Sequence, residues 1–368
     1  MSGSYTDDYI ARYQDIVGTI DKLKIDAFLV SNPTNIRYLT GLLLSDAELL
    51  LTPGESTLFV DSRYLLQAQK SKFTFNVNIV QLKNKYEDVN AWLDNHKLHA
   101  IGVESGFLSH QAFLKWQEKI SGQLIPCENI IERLRIRKGA YEIKVLQKAI
   151  DIAARVIQKI PNILQKSIGA TEKDVAVEIE YLIKKEGAER PAFDIIVAAG
   201  ERSAMPHAAP TERKIRAGEV VLIDMGAVYE GYCSDLTRIF FLSDGKKNNE
   251  VENLFNILQL AQKAAVQDIR PGVSAHDVDA SARRVIEEAG YGSFFDHGTG
   301  HGVGLDVHED PRISPPSEMI LQEGMVFTIE PGIYLPDKFG LRLEDIILVT
   351  DQGPLILSRS VPQNISWI

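Results

Sequence analysis

The sequence predicts two domains: a smaller α/β domain at the N-terminal end, then a larger α+β domain with an internal pseudo-two-fold repeat. Three observations carry this. At roughly 150 residues per domain, a chain of 368 residues holds about two. Strand-like and helix-like segments alternate through the first third. Beyond that, a short segment returns at a spacing of 103 residues.

Along the chain, Ala27-Phe28-Leu29-Val30 reads as a strand stopped by the turn formers Ser31-Asn32-Pro33, and Leu49-Leu50-Leu51-Thr52 stops at Pro53-Gly54. The segments 56–60 and 75–80 are rich in β-branched and aromatic residues, and helical patterns fall at 9–22, 64–71, 87–95 and 110–120. Strands alternating with helices predict an α/β unit. Arg133, Arg135, Arg137, Lys138 and Gly139 form a basic, poorly apolar stretch, which places the boundary between domains 1–132 and 133–368.

From Tyr141, the apolar positions Ile143, Leu146, Ile150, Ala153, Ala154, Ile157 and Ile160 predict a long helix that Pro161 kinks or ends. The repeat follows. Gly169-Ala170-Thr171-Glu172-Lys173-Asp174-Val175 is echoed by Gly272-Val273-Ser274-Ala275-His276-Asp277-Val278, and Gly187 by Gly290. Each copy has a hydroxyl residue three before an Asp and a later glycine, the signature of a capped helix start and stop. Two similar halves would leave a cleft between them, where a site would sit.

Composition narrows the function. Hydrophobic residues at 45% and charged residues at 24% are those of an ordinary folded protein, which excludes disorder and a collagen-like repeat. The net charge of −10 argues against nucleic acid as a partner. Cys127 and Cys233 alone build neither a disulfide framework nor a cysteine-rich zinc site. No signal-peptide or membrane-length apolar run is present, so the expected location is the cytoplasm, without membrane contact.

The chemistry starts at the apolar run Val220-Val221-Leu222-Ile223, which delivers Asp224; the chain turns near Glu230-Gly231 and returns through Asp235. With the hairpin loop at 229–230 the two carboxylates are directly opposite, and with the loop moved by one residue they are diagonal neighbours. Either register puts them on one face, where like charges require a cation, a shared proton or solvent. His297 and His301 stand in a glycine-dense stretch, 297–304, with His308 shortly after. Glu330 and Glu344 lie at the ends of strongly apolar segments, where an unpaired carboxylate is costly. Four carboxylates and one imidazole (Asp224, Asp235, His301, Glu330 and Glu344) predict a site for two divalent cations. The oxygen-rich donors favour Mn²⁺, with Co²⁺, Zn²⁺ and Fe²⁺ as alternatives.

These motifs resemble the creatinase/aminopeptidase P/prolidase group of metallopeptidases, whose catalytic domain has the pita-bread fold. Asn35-Ile36-Arg37-Tyr38-Leu39-Thr40-Gly41 and Asp61-Ser62-Arg63-Tyr64 look like its creatinase-like N-terminal domain. Pro191-Ala192-Phe193-Asp194 through His207, the 224–238 hairpin, Gly300-His301-Gly302, Val307-His308-Glu309, Glu330-Pro331-Gly332-Ile333-Tyr334 and Arg342-Leu343-Glu344-Asp345 look like its catalytic half. The family pattern makes the same five residues the metal ligands. It also implies that His207 and His308 line the substrate pocket, that His297 and Arg342 support the ligands, with Arg342 on Asp224, and that Glu330 moves the proton. Glu309 would be supporting.

The resemblance implies hydrolysis of the bond between an N-terminal residue and a following proline, by a hydroxide bound between two metals. An Xaa-Pro aminopeptidase is the first expectation and an Xaa-Pro dipeptidase (prolidase) the alternative, separated by recognition of the free carboxylate after proline. A creatinase-like amidinohydrolase or a non-catalytic binding protein of this fold would lack the intact ligand set, and methionine aminopeptidases lack the added N-terminal domain. A homodimer is expected from the resemblance alone.

Overall fold

A computed structural model describes residues 5–245 and 248–368. The chain divides into two units, Met1–Arg135 and Ile136–Ile368.

The first unit is a six-stranded mixed sheet. Its order is Val77–Gln81, Ser56–Val60, Ala47–Leu51, Ala27–Val30, Ala100–Glu104 and Gln123–Cys127. The central strands are buried along their whole length, which is why they read as continuous apolar runs rather than alternating ones. Leu29, Phe59, Ile101, Val103 and Trp116 form the core under the helices Lys85–Asn95 and His110–Lys119. The cluster Ser31-Asn32-Pro33 does more than stop a strand. Asn32 caps a helix, Pro33–Thr40, by accepting the Thr34 amide at 2.9 Å; Pro33 occupies its first turn, and Gly41 ends it at φ 75°. The same residue types that signal a turn also start a helix when the following chain has an apolar face to bury.

The basic stretch at the boundary is not a solvated linker. Ile130–Arg135 is helical, and Arg135 is buried with a guanidinium nitrogen 2.9 Å from Asn35 Oδ1. In the second unit, Lys138 is buried against Glu309 at 3.0 Å.

The second unit contains the repeat as corresponding elements. Thr171 and Ser274 cap the helices Glu172–Lys185 and Ala275–Glu288, each accepting an amide hydrogen bond at 3.1 Å, and Gly187 and Gly290 follow at φ 106° and 85°. Each helix is followed by three antiparallel strands that are neighbours in one sheet: Ile196–Ala199, Glu219–Met225 and Leu236–Leu242 in the first half, and Gly300–Gly302, Val326–Ile329 and Asp345–Thr350 in the second. Val221 and Ile223 pack into one core and Val220 and Leu222 into another, so the middle strand is apolar on both faces. The long helix runs Ala140–Ile157 and stops before Pro161, which opens the next helix, Ile160–Lys166. Pyrrolidine geometry suits a first turn and not a helix interior. No helix among the described residues is long and apolar enough to cross a membrane.

Candidate metal centre

The duplicated strands bring the acids together. Asp224 sits at the end of the first half's middle strand and Glu330 directly after the second half's; Asp235 and Glu344 directly precede the two third strands. His301 comes from the first strand of the second half. The hairpin register is the diagonal one. Asp224 faces Thr237, because the two-residue loop is Glu230-Gly231 rather than 229–230. Both loop residues have positive φ, 45° and 83°, as a type I′ turn demands, and Gly231 adopts it without strain.

Two groups of three donors result, each with ligand atoms within 4.8 Å of one another: Asp224, Asp235 and Glu344, and His301, Glu330 and Glu344. Glu344 belongs to both. A third group joins Asp235 and His301 to His308, which is solvent-accessible.

The hydrogen bonds orient these donors and leave lone pairs directed at one space. Arg342 donates to Asp224 Oδ2 at 2.5 Å and, through Nε, to the Thr237 hydroxyl at 3.0 Å; Thr237 in turn donates to Glu344 Oε2 at 2.8 Å. Asp224 Oδ1 and Glu344 Oε1 are buried with no hydrogen-bond partner. His301 Nδ1 is 3.1 Å from the Gly302 carbonyl, which only accepts, so Nδ1 carries the proton. Its Nε2 then points a bare lone pair at Glu330 Oε1, 3.3 Å away, and Asp235 Oδ2, 3.6 Å away. Two orphaned carboxylate oxygens, and two further carboxylates facing an unprotonated imidazole nitrogen, are costly unless cations lie among them, so this donor set fits divalent metal ions.

The electrostatics agree. Burial, followed by repulsion from Glu344, Asp224 and Glu330, raises Asp235 well above the usual carboxylate range. Burial also raises Glu344, with Glu330 and Asp224 adding to it. Glu330 is pushed up to about 7 by burial, against the pull of Arg342. His301 is held down at about 3 by desolvation. When a carboxyl has a folded-state pKa above its unfolded one, the folded state takes up the extra proton. Its stabilising effect is full below the unfolded value and is lost as the pH rises through the folded one. These carboxyls therefore favour metal-stripped protein at about pH 5.5 over about pH 8, while His301 and His297, held neutral in the fold, take up protons on unfolding and pull the other way; because metal and protons compete for the carboxyls, bound divalent metal is expected to raise the melting temperature more at about pH 8 than at about pH 5.5. Calorimetry at both pH values, with and without Mn²⁺, reads this directly.

The supporting residues have distinct places. His297 Nδ1 lies 2.7 Å from the Gly298 carbonyl and Nε2 lies 3.0 Å from the Tyr334 hydroxyl; Arg342 donates to that hydroxyl at 3.0 Å. Burial pushes Tyr334 up to about 12 and His297 down to about 4, so Tyr334 keeps its proton and donates it to a neutral imidazole. A directed chain runs from Arg342 to Tyr334 to His297, and Arg342 also reaches Asp224. Tyr334 lies in the motif 330–334 that carries the family resemblance, but the sequence reading gave it no role of its own, because an aromatic in an apolar strand reads as core. His207 is exposed, and with His308, Arg312 and Phe193 it lines a cavity of about 620 Å³ that contains all five ligand candidates. Arg312, unmarked in sequence, is exposed and in no ion pair among the described residues. Glu309 accepts from the Asp306 amide at 2.9 Å and pairs with Lys138, which ties the loop before it.

Known proteins resemble this chain in sequence and fold. The model of the metallopeptidase family M24 matches residues 144–351, and that of the creatinase/prolidase N-terminal domain matches residues 12–137. The Xaa-Pro dipeptidase of Pyrococcus horikoshii is 38% identical over 357 residues, covering 95% of this chain and 97% of its own length. That of Pyrococcus furiosus is 37% identical over 351 residues, with 95% and 98% covered. Among solved structures, an Xaa-Pro dipeptidase from Bacillus anthracis superposes with a TM-score of 0.92 at 33% identity, over 98% of this chain and all of that one (100%). An X-Pro aminopeptidase from Thermotoga maritima gives 0.88 at 35%, over 97% and 100%.

Proposed function

The chain belongs to metallopeptidase family M24, with a creatinase/prolidase domain before the pita-bread domain, and is a metal-dependent exopeptidase; from that premise we propose that it is an Xaa-Pro dipeptidase. The sequence alone put the aminopeptidase first. The Pyrococcus relatives, both dipeptidases along nearly their whole length, favour the other order.

The observation that carries the reading is the shared Glu344 between two three-donor groups inside a cavity of peptide size. In this proposal Asp224, Asp235, His301, Glu330 and Glu344 hold two divalent ions, most readily Mn²⁺. Such ions supply a Lewis acid for the scissile carbonyl and lower the pKa of water toward neutrality. The remaining work belongs to the chain. Glu330 accepts a proton at a carboxylate oxygen and delivers it to the proline nitrogen, which has no hydrogen of its own and leaves only when protonated. His308, kept neutral by desolvation with help from Arg312 and His207, donates an N–H to the carbonyl oxygen as negative charge develops there. His207 holds the substrate from the opposite loop. His297, through Tyr334 and Arg342, keeps Asp224 oriented.

Arg312 supplies what a dipeptidase needs: a cation in the cavity wall that no carboxylate of the protein occupies, among the described residues. It would pair with the free carboxylate after proline. Arg312→Ala is expected to raise KM for an Xaa-Pro dipeptide by about ten- to a hundred-fold, and to change cleavage of a carboxyl-blocked analogue far less. The proposal as a whole is tested by comparing an Xaa-Pro dipeptide with an Xaa-Pro tripeptide after metal reconstitution. Cleavage confined to the dipeptide supports it; efficient cleavage of the tripeptide makes the protein an aminopeptidase. The same reading includes a cytoplasmic location, in keeping with two buried free cysteines, and a homodimer, which sedimentation would detect.

A further inference from the structure

Glu172 begins the helix Glu172–Lys185, yet its carboxylate does no capping; Thr171 and Asp174 already exchange the capping hydrogen bonds. The Glu172 side chain is fully buried and turns to the segment 199–211. Oε1 accepts from the Ala199 amide at 2.9 Å. Oε2 accepts from the Thr211 amide at 3.0 Å and the Thr211 hydroxyl at 2.8 Å. Arg202 Nε spans both oxygens, at 3.2 and 2.9 Å. Arg202 also donates to the Ala209 carbonyl at 2.6 Å. One carboxylate therefore pins both ends of the loop that carries His207.

This matters because the His207 ring makes no hydrogen bond to the protein among the described residues. Its place in the cavity wall is set by the loop backbone alone. The second half holds its histidine-bearing segment in the same manner. Asp279, on the helix that corresponds to Glu172–Lys185, is buried and accepts from the Thr299 amide at 3.0 Å and the Thr299 hydroxyl at 2.8 Å, two residues before His301. The two carboxylates occupy different turns of the corresponding helices, so they are separate solutions to one requirement.

We propose that Glu172 is the positioning residue for His207: by closing the segment 199–211, it fixes where that imidazole meets the peptide, and so sets substrate affinity without touching metal or substrate. This rests on the cavity being the peptide site. Glu172→Gln keeps the volume but turns an amide group, itself a donor, against the loop's donors.

The test is a double-mutant cycle with His207→Ala, read by kinetics, metal content and amide hydrogen exchange. Glu172→Gln is expected to raise KM about thirty-fold with kcat changed much less, metal content unchanged, and no further loss in the His207→Ala background. The Ala199 and Thr211 amides should lose protection while the helix keeps its own. Equal losses in both backgrounds, or unchanged KM, would overturn the proposal. If Glu172→Gln does not fold, Arg202→Met removes the loop-side partner and should raise KM about five-fold, again only when His207 is present; an unchanged KM overturns it equally. Should the wild-type protein, with metal bound, cleave no Xaa-Pro peptide, the peptidase reading falls, and the exchange data still decide the clamp: protection of 199–211 unaffected by Glu172→Gln refutes it.

Discussion

Asp235→Asn is expected to abolish metal retention and turnover together, with kcat/KM falling by about three orders of magnitude or more. Asp235 is buried, takes part in two of the three donor groups and lies 3.6 Å from His301 Nε2. Asparagine keeps the shape and removes the charge. The remaining acids then offer one negative charge fewer to two dications, and the amide nitrogen presents donors where a cation belongs. Metal analysis after dialysis, run beside an Xaa-Pro hydrolysis assay, checks both halves of the prediction. A variant that kept its metal and its activity would remove Asp235 from the site.

His308→Ala is expected to do the opposite with metal: ion content unchanged, kcat down about a hundred- to a thousand-fold. Two complete donor groups exist without His308, and it is the one accessible member of the third, where its ring stacks edge-on 4.3 Å from His301. An accessible neutral imidazole over a buried site is placed to donate to an oxyanion. If metal content fell with turnover, His308 would be a ligand and the Asp235–His301–His308 group the true second site.

The acids of the site were legible in sequence because burial of a carboxylate at the end of an apolar strand is so costly that it announces a partner. Asp224, Glu330 and Glu344 are all of this kind. The repeat was legible through its helix caps, which are local chemistry: Thr171 and Ser274 act on residues three ahead. What stayed hidden depends on partners distant in sequence. Tyr334 matters because Arg342 and His297 reach its hydroxyl, and no local pattern separates it from a core tyrosine. Arg135 and Lys138 read only as part of a basic, poorly apolar stretch between domains; each is buried through a partner far along the chain, Asn35 and Glu309. Asn32-Pro33 carries both turn and helix-start chemistry, and only the apolar face of Ile36 and Leu39 decides between them. The hairpin register turned on a single residue, settled by which loop position can hold positive φ without strain.

The most direct test of the account is the metal stoichiometry of the intact protein, measured by equilibrium dialysis against Mn²⁺ with elemental analysis, beside hydrolysis of an Xaa-Pro dipeptide. Two ions per chain at saturation, with hydrolysis appearing only when metal is bound, is the predicted result. Saturation at one ion or none, or full occupancy without cleavage of the dipeptide, would contradict it.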